Sequence, residues 1–203
     1  MKHKRVSAFL IDMLFITLLV SLLSSSKIAN PRLLMYNETL EVYTSMVRNM
    51  SVGSAPDTIN MINMMYKLEY SMFFTNLYYV VLSFLYFVVF QYFTGATLGK
   101  KLMKLEIKKI DKSKMDMFTL IKRYLLGGLT YFSGVHFLII IKLLLLVTIK
   151  ESSVLLTSFF TVAGFGIDIA NIIMLFKDKD GRTLADKFAK TKVQYLVEKV
   201  KEI

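Results

Sequence analysis

The stretch VSAFLIDMLFITLLVSLL, residues 6–23, is apolar along its length except for a few hydroxyls and one acid, Asp12, near its middle. A second stretch, VLLTSFFTVAGFGIDIANIIMLF, residues 154–176, repeats the arrangement with Asp168. Apolar runs of about 18 residues or more read as helices that cross a hydrocarbon layer about 30 Å thick. An ionised carboxylate inside such a run costs roughly 2.5–3.5 kcal/mol on insertion scales, so each aspartate needs a partner, a proton or a watery cavity. Those two acids are the first place to look for a functional centre.

Working outward, hydrophobic residues make up 55% of the 203-residue chain and the mean hydropathy is +0.51. Four segments have spanning length and composition: 6–23, 73–93, 124–149 and 154–176. The expected fold is all-α, a polytopic membrane protein of four transmembrane helices in one domain, residues 1–203, with amphipathic helices in the segment 27–72 and short elements in a basic loop (95–123) and tail (177–203). The absence of cysteine excludes disulfides, thiolate metal sites and thiol catalysis.

Charge supplies the orientation. Of 26 basic residues, 20 fall before the first span, between spans two and three, or in the tail, whereas residues 27–72 balance Lys27, Arg32, Arg48 and Lys67 against Glu38, Glu41, Asp57 and Glu69. The positive-inside rule then places both termini and the loop 95–123 in the cytoplasm of a cell membrane, and 27–72 outside. The net charge of +11 is read as a topology signal and a contact with anionic lipid, worth about 1 kcal/mol per basic residue near the surface. No fold or aromatic-basic motif supports nucleic-acid binding.

Residues 1–26 resemble a secretory signal, with MKHKR, an apolar run and Ser24, Ser25 and Ser26. The length of the run and the acid at its centre argue for a retained span. In the outer segment, helical spacing links Leu40, Tyr43, Val47 and Met50, and then Met61, Met65, Leu68 and Met72. These predict one amphipathic helix followed by a second that runs into span two, with Pro31 and 52–56 as breaks. Asn37-Glu38-Thr39 and Asn49-Met50-Ser51 fit the glycosylation sequon, a pattern that recurs by chance.

Three blocks occur in order along the chain. They are Arg5-Val6-Ser7-Ala8 with Asp12; Gly95-Ala96-Thr97-Leu98-Gly99-Lys100-Lys101 leading to Leu105-Glu106-Ile107, with Arg123 beyond; and Gly181-Arg182-Thr183-Leu184-Ala185-Asp186-Lys187 ending in Thr191-Lys192-Val193. Together they resemble the RDD family of bacterial integral membrane proteins, named for an arginine and two aspartates. The resemblance implies that Arg5, Asp12 and Asp186 are the named residues, with Thr97, Gly99, Lys100, Arg123 and Arg182 as further motif positions. Asp168 is outside the pattern, and the chain departs from it at Ala185, where histidine is usual, and at Lys190, where glycine is usual. The resemblance implies transport, including cation/proton exchange, or regulation of a partner.

Spacing adds a geometric expectation. Seven residues separate Arg5 from Asp12, a rise of about 10.5 Å and too far for an intrahelical pair, so Arg5 is expected to snorkel to lipid phosphate. Asp168, nine residues from Lys177, lies about 13.5 Å deep, at nearly the level of Asp12. On a continuous third span His136 is about 18 Å above Tyr124, and Asn171 lies one turn from Asp168. Convergence of Asp12, Asp168, His136 and Asn171 would make a polar cluster able to bind a cation or pass a proton. The structural alternative is a set of interhelical hydrogen bonds, worth about 0.6 kcal/mol each on average.

Thr183 and Asp186 have capping-box spacing, with a contact from Asp186 to Lys100, Lys101 or Arg123 as the alternative; Thr97 is a second cap, and Lys142 an interfacial snorkel. Met61, Met64, Met65 and Met72 form a thioether cluster that reads as apolar filler before it reads as a Cu(I) site. No metal ligand set, cofactor motif or catalytic motif emerges, and an intramembrane aspartyl protease using Asp12 and Asp168 is the residual enzyme reading. Two function classes remain: an accessory protein that binds a membrane partner or a second copy of itself, and an ion or small-solute transporter built on the intramembrane acids.

Overall fold

The computed structural model describes residues 1–50, 58–127, 136–149 and 153–196. The described chain is mostly helical. Helix α1 (Lys2–Ser24) is followed by α2 (Leu33–Met50), α3 (Thr58–Ser71) and α4 (Phe73–Phe84). A π-helical turn (Leu85–Phe90) and α5 (Gln91–Thr94) extend α4 into one continuous 22-residue apolar helix, Phe73–Thr94. Then come α6 (Leu98–Leu102), β1 (Leu105–Lys109), α7 (Met117–Leu126), α8 (His136–Thr148), α9 (Ser153–Lys177), α10 (Leu184–Phe188) and β2 (Thr191–Tyr195).

Helix α1 shows why the bundle needs an apolar surrounding. Its buried residues, Ala8, Asp12, Ile16 and Val20, recur every fourth position and make one inward stripe. Leu10, Leu14, Leu18 and Leu22 recur at the same period on the outside, with Leu10 61% and Leu22 69% exposed. An exposed leucine stripe along a whole helix is a lipid-facing surface. Asp12 therefore occupies a position in the packed seam, among groups that can satisfy it. On α9, Thr157, Gly164, Asp168, Asn171 and Leu175 form the corresponding buried face.

Lys2–Ser24, Phe73–Thr94 and Ser153–Lys177 are the helices long and apolar enough to cross a membrane among the described residues. They coincide with the first, second and fourth expected spans. The third differs: helix α7 ends at Leu126, Gly127 takes an extended conformation (ψ 134°), and the apolar helix α8 resumes at His136. A side chain at position 127 would meet the Arg123 carbonyl at 2.4 Å, so the site suits glycine only. Tyr124 thus belongs to a short amphipathic helix, and α8 covers 13 residues, about 20 Å of rise.

The helices of the segment 27–72 appear where their spacing predicted, with only Met72 between α3 and α4. Arg32 pins the segment, donating to the Tyr70 carbonyl at 2.8 Å with its guanidinium 3.5 Å above the Tyr70 ring. Lys142 does not snorkel. It donates to Thr161 Oγ1 at 3.0 Å and lies 3.7 Å from Glu69, which fastens α3 to α8 and α9.

The strand pair is an addition to the all-α expectation. Strands β1 and β2 are antiparallel, with Leu105 opposite Tyr195, Ile107 opposite Val193 and Lys109 opposite Thr191. Their alternating apolar residues face one way, so Leu105, Ile107 and Val193 pack on Ala8 of α1. The loop and the tail are therefore one structural unit, attached to the start of the first helix.

Candidate functional site

Asp12 is 1% exposed, and three groups satisfy its carboxylate. Tyr86 donates its hydroxyl to Oδ1 at 2.5 Å, the Gly99 N–H donates to the same oxygen at 2.8 Å, and the Thr97 hydroxyl donates to Oδ2 at 2.6 Å. Asp12 thus supplies an anion to the first turn of α6, where N–H groups have no intrahelical acceptor. Thr97 is the N-cap of that helix. Gly99 is required by close approach: a Cβ there would lie 2.0 Å from the Ala8 carbonyl and 2.9 Å from Asp12 Oδ1. The π turn places Tyr86 at this junction, where its hydroxyl also accepts the Leu98 N–H at 2.9 Å. A π turn inside a helix is frequently a functional feature.

Asp186 is fully buried and holds the basic end together. Arg5 Nη2 donates to Oδ2 at 2.5 Å, Arg123 donates to Oδ1, and Arg5 also donates to the Gly181 carbonyl. Arg123 reaches Thr191 Oγ1 at 2.8 Å, bringing β2 into the same cluster. The capping box is complete, with the Thr183 N–H and hydroxyl both 3.1 Å from Oδ2 and the Asp186 N–H donating to Thr183 Oγ1 at 3.2 Å. Cap and ion pair, posed as alternatives by the sequence, coexist on one carboxylate. Burial alone would raise the Asp186 pKa; the charges of Arg123 and Arg5 outweigh it and hold the group at about 2. Arg5 accordingly does not snorkel to lipid. Arg182 stands outside this cluster and holds the turn after α9, with Nε 3.4 Å from Asp178.

Between these clusters lies a cavity of about 320 Å³. Its lining includes Arg5, Asp12, Lys100, Arg123, His136 and Asn171 within a largely apolar wall. His136 is 1% exposed and stacks on Tyr124 with ring centroids 4.0 Å apart, far closer than the 18 Å of rise expected for a continuous helix. Its Nδ1 lies 2.9 Å from the Tyr124 carbonyl, so Nδ1–H donates and Nε2 keeps its lone pair. Asn171 bridges elements, donating to the Leu126 and Ile167 carbonyls at 3.3 and 3.2 Å and accepting the Ala185 N–H at 3.4 Å. Asp168, 5% exposed, is not among the lining residues and lies within electrostatic reach of Tyr79, whose ring stacks on His136 at 5.7 Å.

Lys100 donates to Thr97 Oγ1 at 3.2 Å and Gln91 Oε1 at 3.3 Å. Burial lowers its pKa to about 8 against the opposing attraction of Asp12. Sequence reasoning missed Tyr86 and Gln91, and quoted Thr191 only as the end of a motif block. Gln91 carried a signal, since a lone amide in an apolar membrane-length run needs a partner. Tyr86 carried none, being one of 11 tyrosines.

Spanning-length helices, a lipid-facing leucine stripe and buried charges clasped at one end define a polytopic helical membrane protein. The RDD family model matches residues 2–190, and the chain belongs to the RDD family, a family of membrane proteins. Neither a curated protein nor a solved structure matches the chain.

Proposed function

We propose that this chain is a non-catalytic accessory protein of the cell membrane, four-spanning with both termini cytoplasmic, that holds a membrane partner or a second copy of itself. The observation that carries this reading is the state of the two family acids. Asp12 accepts three hydrogen bonds at one helix start, and Asp186 is paired with two arginines. A carboxylate that must load and release a proton or cation works against such saturation, whereas a scaffold benefits from it. The outer helices α2 and α3, docked through Arg32 and Lys142, add a surface that a minimal carrier does not need. The fourth span is assigned to the segment containing α8, and the orientation to the basic bias of the loop and tail.

A carrier of cations, protons or a small solute is the second reading, favoured by the cavity that Asp12, His136 and Asn171 share. Proteoliposome flux separates the two. The accessory reading expects no cation or proton flux, and loss of a copurifying membrane protein or of self-association when 37–70 is replaced by a flexible linker. Flux abolished by Asp12→Asn or Asp168→Asn would favour the carrier. Orientation is tested by single cysteines at Ser54 and Ser113, which an impermeant reagent should label from opposite sides.

A further inference from the structure

The cavity at the basic end contains a charge imbalance. Arg5 and Arg123 share the single carboxylate of Asp186. Among the described residues Lys100 hydrogen-bonds neutral oxygens, those of Thr97 and Gln91, while Asp12 takes its hydrogen bonds from Tyr86, Thr97 and Gly99. Three cations therefore face two anions, in a chamber whose wall is mostly apolar. A buried excess charge is unfavourable unless an opposite charge joins it.

A second observation points to the same space. His136 borders the cavity, and its buried Nε2 has no hydrogen-bond partner among the described residues, although the Gly127 carbonyl stands near the ring. With Nδ1–H committed to the Tyr124 carbonyl, Nε2 is an acceptor that calls for a hydroxyl donor. The shape of the chamber supplies the third constraint. Helix α1 packs on α4 and α6, and α9 packs on α8. Both α1 and α9 border the cavity, through Phe9 and Met13 on one and Ile172 and Phe176 on the other. They are tied together at its end by Lys2, which donates to the Phe176 carbonyl at 2.7 Å. Beyond the cavity both helices carry exposed apolar residues, Leu10 and Leu14 on α1 and Phe165 and Ile169 on α9.

We infer that this cavity is a binding site for one anionic bilayer lipid whose head carries a single phosphodiester and a hydroxyl, as in a phosphatidylglycerol. The phosphodiester sits against Lys100 and the guanidinium groups of Arg5 and Arg123. The head-group hydroxyl donates to His136 Nε2, and an acyl chain leaves between α1 and α9. A volume of about 320 Å³ accommodates a head group of this size and not a whole lipid. This inference goes beyond the accessory reading and is independent of it, since a scaffold or a carrier could hold a structural lipid.

The test uses the full chain purified in mild detergent, with dioleoyl phosphatidylglycerol, phosphatidylmethanol or phosphatidylcholine added and retained lipid counted by native mass spectrometry. The wild type should retain one phosphatidylglycerol, with phosphatidylcholine held about tenfold more weakly and Lys100→Gln losing about tenfold, the size of one charge-assisted hydrogen bond. Lys101→Gln, at an exposed position of the same short helix, should change nothing. Phosphatidylmethanol, which keeps the charge and lacks the hydroxyl, should bind more weakly to the wild type but equally with phosphatidylglycerol to His136→Leu. Ile172→Trp, which enlarges a lining residue at an exposed position, should abolish retention while helical content by circular dichroism is unchanged. Equal retention by all variants, or equal affinity for the charged and zwitterionic lipids, would assign the lipid to the annulus and overturn the site. Displacement by millimolar inorganic phosphate would reassign it to a free anion.

Discussion

Arg5 and Asp186, 181 residues apart, form an ion pair of 2.5 Å in which the arginine side chain is 9% exposed and the aspartate not at all. Two of the residues singled out by the motif resemblance therefore act on each other, and Arg123 completes a three-membered charge cluster around the same carboxylate. Removing one member of a buried pair leaves an uncompensated charge, at a cost of about 3–5 kcal/mol. Asp186→Asn should lower the melting temperature in detergent more than Arg5→Gln, since it strands two cations where the arginine change strands none. The double variant should fall short of the sum of the single losses, as groups in contact do. Additive losses would mean that the pair does not form in the solubilised protein.

The junction between Asp12 and α6 makes a steric prediction. Gly99→Ala places a methyl group 2.0 Å from the Ala8 carbonyl, a backbone atom that cannot rotate away. We expect a loss of about 1–3 kcal/mol or more, typical of overpacking against a fixed neighbour, and a fall in folded yield. Gly166→Ala is the control, because a Cβ there meets nothing within 4 Å. That change should be neutral or stabilising by up to about 1 kcal/mol, from helix propensity alone. Equal effects of the two would remove the close approach of α1 and α6 from the account of Asp12.

Much of this arrangement was legible in the chain. Length and hydropathy located the helices because an apolar run of spanning length has few other uses, and the Thr183–Asp186 spacing announced its capping box. What escaped was long-range. Arg5 was expected at lipid phosphate because nothing local offers it a carboxylate, and its partner is contributed by the opposite end of the chain. The β pair escaped for a similar reason: Leu105-x-Ile107 and Thr191-x-Val193 are each too short for alternation to stand out, and no hairpin turn connects them. The third span was overextended because apolar composition runs straight through Gly127, where backbone geometry stops the helix. Depth counted along that continuous helix placed His136 far from Tyr124, against which its ring stacks.

The strand pairing is open to a direct chemical test, since the chain has no cysteine to compete. Glu106 and Gln194 are directly opposed, and their side chains hydrogen-bond at 2.9 Å. Opposed Cα atoms in an antiparallel pair lie about 4.5–5.5 Å apart, within disulfide range, while diagonal neighbours lie about 7–8 Å apart. Cysteines at 106 and 194 should oxidise readily in native membranes, and cysteines at 106 and 192 slowly. The reverse order would shift the register by two residues and detach the tail from its contact with Ala8.

Acid stability gives the charge cluster a quantitative signature. The Asp186 carboxyl titrates at about 2 in the folded chain, against an ordinary value of 3.8. Its folded-state pKa is depressed, so its stabilisation is complete above about pH 4 and is lost as pH falls from there toward 2. The shift corresponds to roughly 2 kcal/mol, enough to lower a melting temperature measurably. Asp116 also titrates at about 2, through the hydrogen bond from Lys109 and the Thr119 N–H, but it is exposed and its contribution is screened by salt. Asp178, its side chain 9% exposed, is likewise held below the usual carboxylate range by Arg182 and Lys187, so melting curves between pH 5 and 2 should retain an acid-induced loss in 1 M salt in an Asp116→Asn, Asp178→Asn background. A loss that disappears at high salt would place the titrating groups on the surface and leave the buried cluster without a role in acid stability.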